Sequence, residues 1–280
     1  MRFRSLSLVV LLLASSLASA APQLQTHLFT RRAEATAGSR RFAVIGDAGT
    51  GRKRQRAVIA RMLADHDERP FETVLMLGDN IYDDGPLERF DSAIGKPFSP
   101  LLQRGVRLYG ILGNHDVQFQ RGEAQLRYLG LGLGKKRWYK TAVADGDVEV
   151  FAIDTTLLVT DRWTYHGEAR WKQTQADAQL AWLDKTLASG TAKFKLVMGH
   201  HPLYSSGTRG TERREMREQL DGMLAEHGVD AYLAGHQHVY ERHEPRRGVV
   251  HFVSGADGRD PGSTVDPVGC RVCTTRRTSS

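Results

Sequence analysis

Residues 41–55 read RFAVIGDAGTGRKRQ, in which an apolar run meets a cluster of glycines and then basic residues. Such a stretch opens either a phosphate-binding loop or a metal-binding turn that follows a strand. A phosphate-binding P-loop requires the pattern G-x-x-x-x-G-K-[ST]. Gly46 and Gly51 have that separation, but an Arg-Lys pair stands in place of the Lys and the Ser or Thr. The pattern therefore favours a turn in which Asp47 binds a metal and the glycines let the backbone bend close to the ion.

The same arrangement of an apolar run followed by Gly, Asp, Asn or His recurs along the chain. Apolar runs of this length, unbroken by polar alternation, predict buried strands. They cover residues 42–45, 73–77, 106–112, 148–153, 194–198, 231–234 and 251–253. Apolar residues at helical spacing lie between them, in residues 54–66, 173–187 and 213–227. Strands that alternate with helices predict a layered α/β fold, which we expect to form one domain over residues 41–255.

The two ends of the chain have a different composition. Residues 1–20 combine two arginines, an apolar run and a final Ala-Ser-Ala, which is typical of a secretory signal cleaved before Ala21. The apolar run is too short to span a bilayer stably, so we expect a secreted or periplasmic protein with no membrane anchor after cleavage. Residues 21–40 are polar and predict an irregular lead-in. Residues 256–280 form an atypical tail rich in Gly, Thr and Arg.

Composition excludes some classes of function. The net charge is +7, with the basic residues scattered and no aromatic residues interleaved along one basic stripe, so we expect no nucleic-acid partner. The two cysteines, Cys270 and Cys273, lie in a segment without an apolar pattern, which favours a local disulfide or idle thiols over redox catalysis.

Polar side chains with ligand atoms follow five of the predicted strands. They are Asp47, Asp79, Asn114, His115, His200, His201, His236 and His238. In open α/β sheets, ligands bind beyond the carboxyl ends of the strands. Carboxylates, an amide and imidazoles suit transition metals, whereas calcium prefers oxygen ligands alone. The set contains no cysteine, which argues against a structural zinc site, and it is large enough for two metal ions.

The blocks GDAG, GDNIY, GNHD, VMGHH and GHQH, in this order, resemble the calcineurin-like metallophosphoesterases. They look most like the purple acid phosphatase branch and its small tartrate-resistant-type members. The resemblance implies a four-layer α/β/β/α sandwich over residues 41–255. It also implies an acid phosphatase that hydrolyses small phosphomonoesters by attack of metal-bound hydroxide.

The resemblance also implies a ligand set for two metals. Most relatives begin with D-x-H, but here Gly49 stands at the place of that His, and Tyr82 supplies a ligand three residues after Asp79. In purple acid phosphatases this tyrosine binds ferric iron and gives the colour. The ferric ion would be held by Asp47, Asp79, Tyr82 and His238. A divalent Fe, Zn or Mn ion would be held by Asp79, Asn114, His200 and His236, so that Asp79 bridges the two.

His115 is the expected catalytic residue, because its counterpart in the family faces the substrate and helps to protonate the leaving alkoxide or to stabilise charge. Asn114 would also contact the substrate, and Asp116 would orient His115. His201 directly follows a ligand and faces away from the site if this segment is extended, so we expect a structural role for it.

Two departures from the family pattern carry predictions. Relatives have a second substrate-facing His after HHPLYSSG, whereas this chain has Arg209 nearby, which would bind phosphate as a charged fork. Relatives also continue beyond FVSGAGG with further strands, but residues 256–280 show little strand pattern. We therefore expect the last strands of the second sheet to be missing or replaced.

Two other functions stay open at this point. One is a phosphodiesterase or nucleotidase built on the same scaffold. The other is a non-catalytic metal-binding protein, which the unusual tail favours.

Overall fold

The computed structural model of the protein describes residues 41–118, 120–128, 136–160, 168–206 and 212–255. The signal, the lead-in, Arg209, both cysteines and the tail lie outside the described residues. Within the described ranges, no helix has the length and apolar character needed to cross a membrane.

The first sheet has three parallel strands in the order β1-β2-β3. These strands are β1 (Ala43–Ile45), β2 (Thr73–Met76) and β3 (Arg107–Gly110). Ala43 pairs with Val74 and Val74 pairs with Leu108, so the three apolar runs lie in register. Both faces of β1 and β2 are buried, as expected for strands without polar alternation.

Helices connect these parallel strands. Helix α1 (Lys53–Glu68) joins β1 to β2 and buries Val58, Ile59 and Met62. Helix α2 (Lys96–Leu102) lies between β2 and β3 and follows a 3₁₀ turn (Leu87–Arg89) and a π-helical turn (Asp91–Gly95).

The second sheet has six strands in the order β4-β5-β6-β7-β9-β8. They are β4 (Tyr139–Val143), β5 (Val148–Ala152), β6 (Phe194–Met198), β7 (Ala231–Ala234), β8 (Tyr240–Arg242) and β9 (Val250–Ser254). The four central strands are parallel, and the two edge strands are antiparallel to their neighbours.

Three further helices complete the described fold. The short helix α3 (Glu123–Tyr128) follows a 3₁₀ turn, Gln120–Gly122. Helix α4 (Ala169–Ala188) packs through Leu183 and Leu187, and helix α5 (Glu212–Glu226) packs through Leu220 and Leu224, all of which are fully buried. One contiguous hydrophobic cluster joins the two sheets and these helices. The predicted four-layer α/β/β/α sandwich is therefore confirmed.

All seven predicted strands correspond to observed strands, and the three predicted helices correspond to α1, α4 and α5. The sequence patterns did not predict the edge strands β4 and β8. Both mix buried with exposed residues, and β4 carries the exposed Lys140 that edge strands often have. Strand β9 has a neighbour on each side, β7 and β8. The expected loss of strands beyond it stays a prediction.

Candidate metal centre

The loops that follow five strands meet at one edge of the two sheets. Asp47 follows β1, Asp79 follows β2 and Asn114 follows β3, whereas His200 follows β6 and His236 follows β7. A hydrogen bond from the His236 backbone N–H to Oδ2 of Asp47 (2.8 Å) joins the first sheet to the second. The residues singled out from the sequence are thus brought together from distant parts of the chain.

The first half of the cluster is built around the Asp47 carboxylate, which is fully buried. Its Oδ1 accepts a hydrogen bond from the Tyr82 hydroxyl (3.2 Å) and lies 3.5 Å from Nε2 of His238. Its Oδ2 accepts the His236 N–H described above. A carboxylate, a phenol and an imidazole thus surround one small volume.

Asp79 is shared between the two halves. Its Oδ2 accepts a hydrogen bond from the Tyr82 hydroxyl (2.8 Å). Its Oδ1 accepts the backbone N–H of His115 (3.0 Å) and lies 3.5 Å from Nε2 of His200. Burial alone would raise the pKa of the Asp79 carboxyl, but the nearby imidazoles of His200 and His115 outweigh it, so the pKa lies below its ordinary value. These surroundings therefore favour the anionic form of Asp79.

The second half is rich in nitrogen. The side-chain oxygen of Asn114 lies 3.0 Å from Nε2 of His200 and 2.9 Å from Nδ1 of His236, and these two nitrogens are 3.3 Å apart. Nδ1 of His200 lies 2.8 Å from the carbonyl oxygen of Leu77, to which it donates. That bond leaves Nε2 of His200 with its lone pair toward the cluster, which is how metal-binding histidines are oriented.

The charge of His200 reflects its surroundings. Burial lowers the pKa of its imidazole, but the carboxylates of Asp79 and Asp47 act in the opposite direction and raise the pKa above its ordinary value. The two buried anions therefore attract a proton where no other cation neutralises them.

The backbone amides of the loop after β1 are already used. The N–H groups of Asp47 and Gly49 donate to the carbonyls of Gly78 and Asp79 (both 3.1 Å), and the N–H of Gly51 donates to Oε1 of Gln55 (2.6 Å). A phosphate-binding loop would point such amides at its ligand. The structure therefore excludes a P-loop at residues 41–55.

Gly49 explains how Tyr82 reaches the cluster. A Cβ at position 49 would lie 2.1 Å from the carbonyl carbon of Asn80 and 2.5 Å from the nitrogen of Ile81, so no other residue fits there without moving the backbone. The Tyr82 N–H also donates to the Gly49 carbonyl (2.9 Å). Without a side chain at position 49, the following loop packs closely and carries Tyr82 between Asp47 and Asp79.

Three of the candidate ligands have left-handed backbone conformations. The φ angles are +55° for Asp47, +52° for Asp79 and +66° for His236. Residues other than glycine adopt this region at a cost of about 1 kcal/mol or more, and such residues concentrate at functional sites. The strained turns aim three side chains at the same point.

Asp116 holds the surrounding loops together. It is fully buried and accepts hydrogen bonds from the backbone N–H groups of Asn80 (3.1 Å), Ile81 (3.1 Å) and Gly113 (2.8 Å), and from Nε2 of Gln125 (2.8 Å). Burial and then the Asp79 charge raise its pKa to about 6. These bonds orient the backbone on either side of the cluster, which is a less direct role than the expected orientation of His115.

His115 lies beside Tyr82 at the half-buried edge of the cluster. The two rings meet edge to face, with centroids 4.7 Å apart. Nδ1 of His115 contacts the carbonyl oxygen of Asp83. Because a carbonyl only accepts, this contact assigns a proton to Nδ1.

The expectation that His201 faces away from the site is wrong. Its ring is buried, with its centroid 4.4 Å from that of His236 and 5.0 Å from that of His200. Burial and then the neighbouring His236 hold the pKa of His201 well below its ordinary value. The segment is not extended at this point, because the chain bends at His200 and His201, just after β6. The two neighbouring side chains therefore need not point in opposite directions.

The cluster fits metal ions. One ligand atom from each of Asp47, Asp79 and His200 lies within 4.8 Å of the others, and the same is true of His200, His201 and His236. The groups that contact the two aspartates in the described part of the chain are a phenol, backbone N–H groups and imidazoles, none with a permanent positive charge. Two buried carboxylates in such surroundings need cations.

Comparison with known proteins agrees with this chemistry. A profile of the family described as calcineurin-like phosphoesterase matches residues 40–240. Purple acid phosphatase 17 of Arabidopsis thaliana is 31% identical over 284 residues, which cover 94% of this chain and 81% of that protein. Tartrate-resistant acid phosphatase type 5 of Homo sapiens is 30% identical over 268 residues, which cover 87% and 79% of the respective chains.

A solved structure shares the fold. The purple acid phosphatase isolated from yellow lupin (Lupinus luteus) seeds superposes with a TM-score of 0.63 at 20% identity. The match covers 85% of this chain and 47% of that chain. The extra length of the lupin protein has no counterpart among the matched residues.

Proposed function

Because the chain belongs to the calcineurin-like phosphoesterase family, in its purple acid phosphatase branch, we propose that it is a secreted, binuclear acid phosphatase that hydrolyses small phosphomonoesters. It is a metal-dependent phosphoric ester hydrolase by family. The proposal adds the two-metal site, the monoester substrate and the residues that serve each role.

The observation that carries the proposal is the position of the Tyr82 hydroxyl. It lies 3.2 Å from Asp47 and 2.8 Å from Asp79, and Tyr82 belongs to the loop whose backbone at Asn80 and Ile81 packs closely on Gly49. A phenolate and two carboxylates are hard anionic ligands, which favour a trivalent ion. This arrangement supports a ferric site held by Asp47, Asp79, Tyr82 and His238.

The other half would hold a divalent Fe, Zn or Mn ion through Asp79, Asn114, His200 and His236. An amide oxygen and two imidazoles are softer than the first set and suit a divalent transition metal. When bound, the two ions would act as Lewis acids on the phosphoryl oxygens and supply an activated water nucleophile. The chain itself would hold the ligand side chains in place, through the left-handed turns and through the hydrogen bonds that Asp116 accepts from the surrounding loops.

His115 would protonate the leaving alkoxide. Its ring is half-buried beside Tyr82, so a substrate can reach it, and its Nδ1 is directed at the Asp83 carbonyl. Nε2 would then be the ring nitrogen that donates the proton to the leaving group. Asn114 would contact the substrate from the neighbouring position.

The test of the proposal is a metal analysis with a visible spectrum of the purified mature chain. We expect two ions per chain and a purple or pink band that Tyr82→Phe removes or shifts strongly. Tyr139→Phe is the matched control, because Tyr139 is also buried but donates to the Gly110 carbonyl (2.8 Å). A colourless enzyme that is fully metallated and active would contradict the ferric assignment.

The substrate class has its own test. A simple aryl phosphate should be hydrolysed faster than the corresponding diester, and the opposite preference would indicate a phosphodiesterase or nucleotidase. Protein with two bound metals and no turnover on any phosphate ester would indicate a non-catalytic metal-binding protein.

Arg209 is proposed to bind the substrate phosphate as a charged fork. Arg209→Ala should then raise KM for an aryl phosphate or lower kcat. Unchanged values of both constants would remove Arg209 from the site.

A further inference from the structure

The loop that carries Asp47 joins β1 to α1 and contains two left-handed residues. The φ angles are +55° for Asp47 and +68° for Gly51. A residue other than glycine stays in this conformation only where the surrounding structure holds it there. The pairing of β1 with β2 holds the chain just before Asp47. The other end of the loop needs a support of its own.

Gln55, in the first turn of α1, supplies that support. Its side chain is fully buried. Its Oε1 accepts the backbone N–H of Gly51 (2.6 Å), and its Nε2 donates to the backbone carbonyl of Ala93 (2.5 Å), 38 residues further along the chain. One buried amide therefore ties the end of the Asp47 loop to the π-helical turn Asp91–Gly95.

The sequence explains why the Ala93 carbonyl is bonded in this way. In an α-helix this carbonyl would accept the N–H of the residue four positions on. That residue is Pro97, which has no N–H to donate. The backbone around Ala93 forms a π-helical turn, which is a rare form that is frequent at functional sites.

Arg89 forms a second tie between the same two segments. It ends the 3₁₀ turn that precedes the π-helical turn, and its Nη2 donates to the backbone carbonyl of Thr50 (3.1 Å). The two backbones also pack closely, because a Cβ at Gly51 would lie 3.0 Å from the Ser92 carbonyl oxygen. The end of the Asp47 loop is thus held by side chains from two directions.

We propose that Gln55 and Arg89 are positioning residues for the ferric half of the metal centre, acting through the loop that carries Asp47. The inference rests on the proposed ferric site. Strand β1 holds one end of the loop and these two side chains hold the other, so the left-handed turn keeps the Asp47 carboxylate beside Tyr82 and His238. Release of the far end would let the turn relax and would weaken the binding of the ion.

A helix-capping role for Gln55 makes a different prediction. A Gln or Glu side chain in the first turn of a helix often accepts a backbone N–H from just before the helix, which stabilises the helix. A residue with this role alone would affect the melting temperature and leave the ferric site unchanged.

Two matched variants separate these roles. Gln55→Met approximately keeps the side-chain volume and removes both hydrogen bonds. Gln179→Met is the control, because Gln179 is also fully buried and its amide also accepts a backbone N–H (2.7 Å) and donates to a backbone carbonyl (3.1 Å). Both of those backbone groups belong to Asp154, which lies outside the proposed ferric site.

The measurements use the full mature chain loaded with Fe³⁺ and Zn²⁺. They are the visible band, the rate at which a chelator removes the iron, and the melting temperature. Both variants should melt at a lower temperature. Only Gln55→Met should shift the band and release iron faster, by about tenfold, which is the lower end of the range for outer partners of metal ligands. A folded Gln55→Met protein with the wild-type band and release rate would overturn the proposal, as would equal changes in Gln179→Met.

A second pair of variants covers the case in which Gln55→Met does not fold. Arg89→Met removes the bond to the Thr50 carbonyl and should speed the release of iron, whereas Arg89→Lys keeps a donor and should stay close to wild type. A wild-type release rate in Arg89→Met overturns the proposal. A wild-type chain without the visible band would instead refute the ferric assignment itself, and this inference with it, so the two failures are distinguishable.

Discussion

Two buried aspartates, Asp79 and Asp154, each follow a strand and have opposite surroundings. Asp154, after β5, forms an ion pair with Arg137 (3.0 Å) and accepts the Thr156 N–H (3.0 Å). The side-chain amide of Gln179 accepts the Asp154 N–H (2.7 Å) and donates to the Asp154 carbonyl (3.1 Å). Asp79, after β2, has only a phenol, a backbone N–H and imidazoles around it in the described part of the chain.

The difference lies in the source of positive charge. The chain itself neutralises Asp154 with a guanidinium, so this carboxylate has a structural role. Around Asp79 and Asp47, the described residues supply donors that bind a cation but no permanent cation of their own. A polar residue at the end of a strand is therefore a weak sign of function, and the decisive feature is a buried anion that protein groups leave uncompensated.

The largest effect should come from Asp79→Asn. The substitution removes the charge shared by both halves of the cluster, and metal ions typically contribute several kcal/mol to stabilising the transition state. We expect kcat/KM for an aryl phosphate to fall at least about a thousandfold. The metal content should also fall below two ions per chain. Full metal content and activity in Asp79→Asn would show that neither depends on the charge of this carboxylate.

Asp154→Asn should lower the stability of the protein and leave its metal content unchanged. Removing one partner of a buried ion pair costs about 3–5 kcal/mol, because Arg137 is left in the interior without its anion. Urea unfolding should show this loss of stability, while metal analysis should still give the wild-type ratio of ions per folded chain. Loss of metal with unchanged stability would mean that Asp154 belongs to the site.

Gly49→Ala tests whether the first half depends on the close packing of its loop. A methyl group there would overlap the Asn80 backbone, and such overpacking costs about 1–3 kcal/mol. We expect a lower melting temperature and a weaker Tyr82-dependent visible band. Gly222→Ala in α5 is the control, since a Cβ there would meet only Arg247, at 3.9 Å, and alanine favours helix. Equal effects of the two changes would show that the loop tolerates a side chain.

His251 is a buried polar residue that forms no ion pair with any other described residue and does not belong to the metal centre. Its two ring nitrogens have no hydrogen bond in that part of the chain, and it packs against Tyr204 and Tyr232. Burial, followed by the charges of His243 and Arg246, lowers its pKa from 6.5 to about 3. The folded state therefore keeps His251 neutral, whereas the unfolded chain binds a proton below pH 6.5.

The sign of the pH dependence follows from this shift. The unfolded state binds more protons between about pH 3 and pH 6.5, so the contribution of His251 to stability is present above pH 6.5 and is lost as the pH falls. Between pH 7 and pH 5 the loss should be on the order of 2 kcal/mol. Urea unfolding at the two values should show a smaller loss for His251→Phe. Equal losses in both proteins would show that His251 does not contribute to the pH dependence.

Much of the fold was predictable from local patterns. The seven apolar runs and the three amphipathic segments lie at or near the bounds of the observed strands and helices. This agreement is expected, because the spacing of apolar residues along the chain follows the face that each element buries. Strands β4 and β8 escaped prediction because edge strands mix polar and apolar residues. The order of the motifs alone also indicates the family.

The site depended on contacts between distant segments. The motifs named Asp47, Asp79, Tyr82 and the histidines, yet they could not show that the loop after β2 packs directly on Gly49. They also placed His201 on the wrong side and could not show the hydrogen bonds by which Asp116 holds two loops together. Periodicity and spacing describe neighbours along the chain. The charge balance of a buried cluster depends on which groups meet through space, and that is set when two sheets bring their loops to one edge.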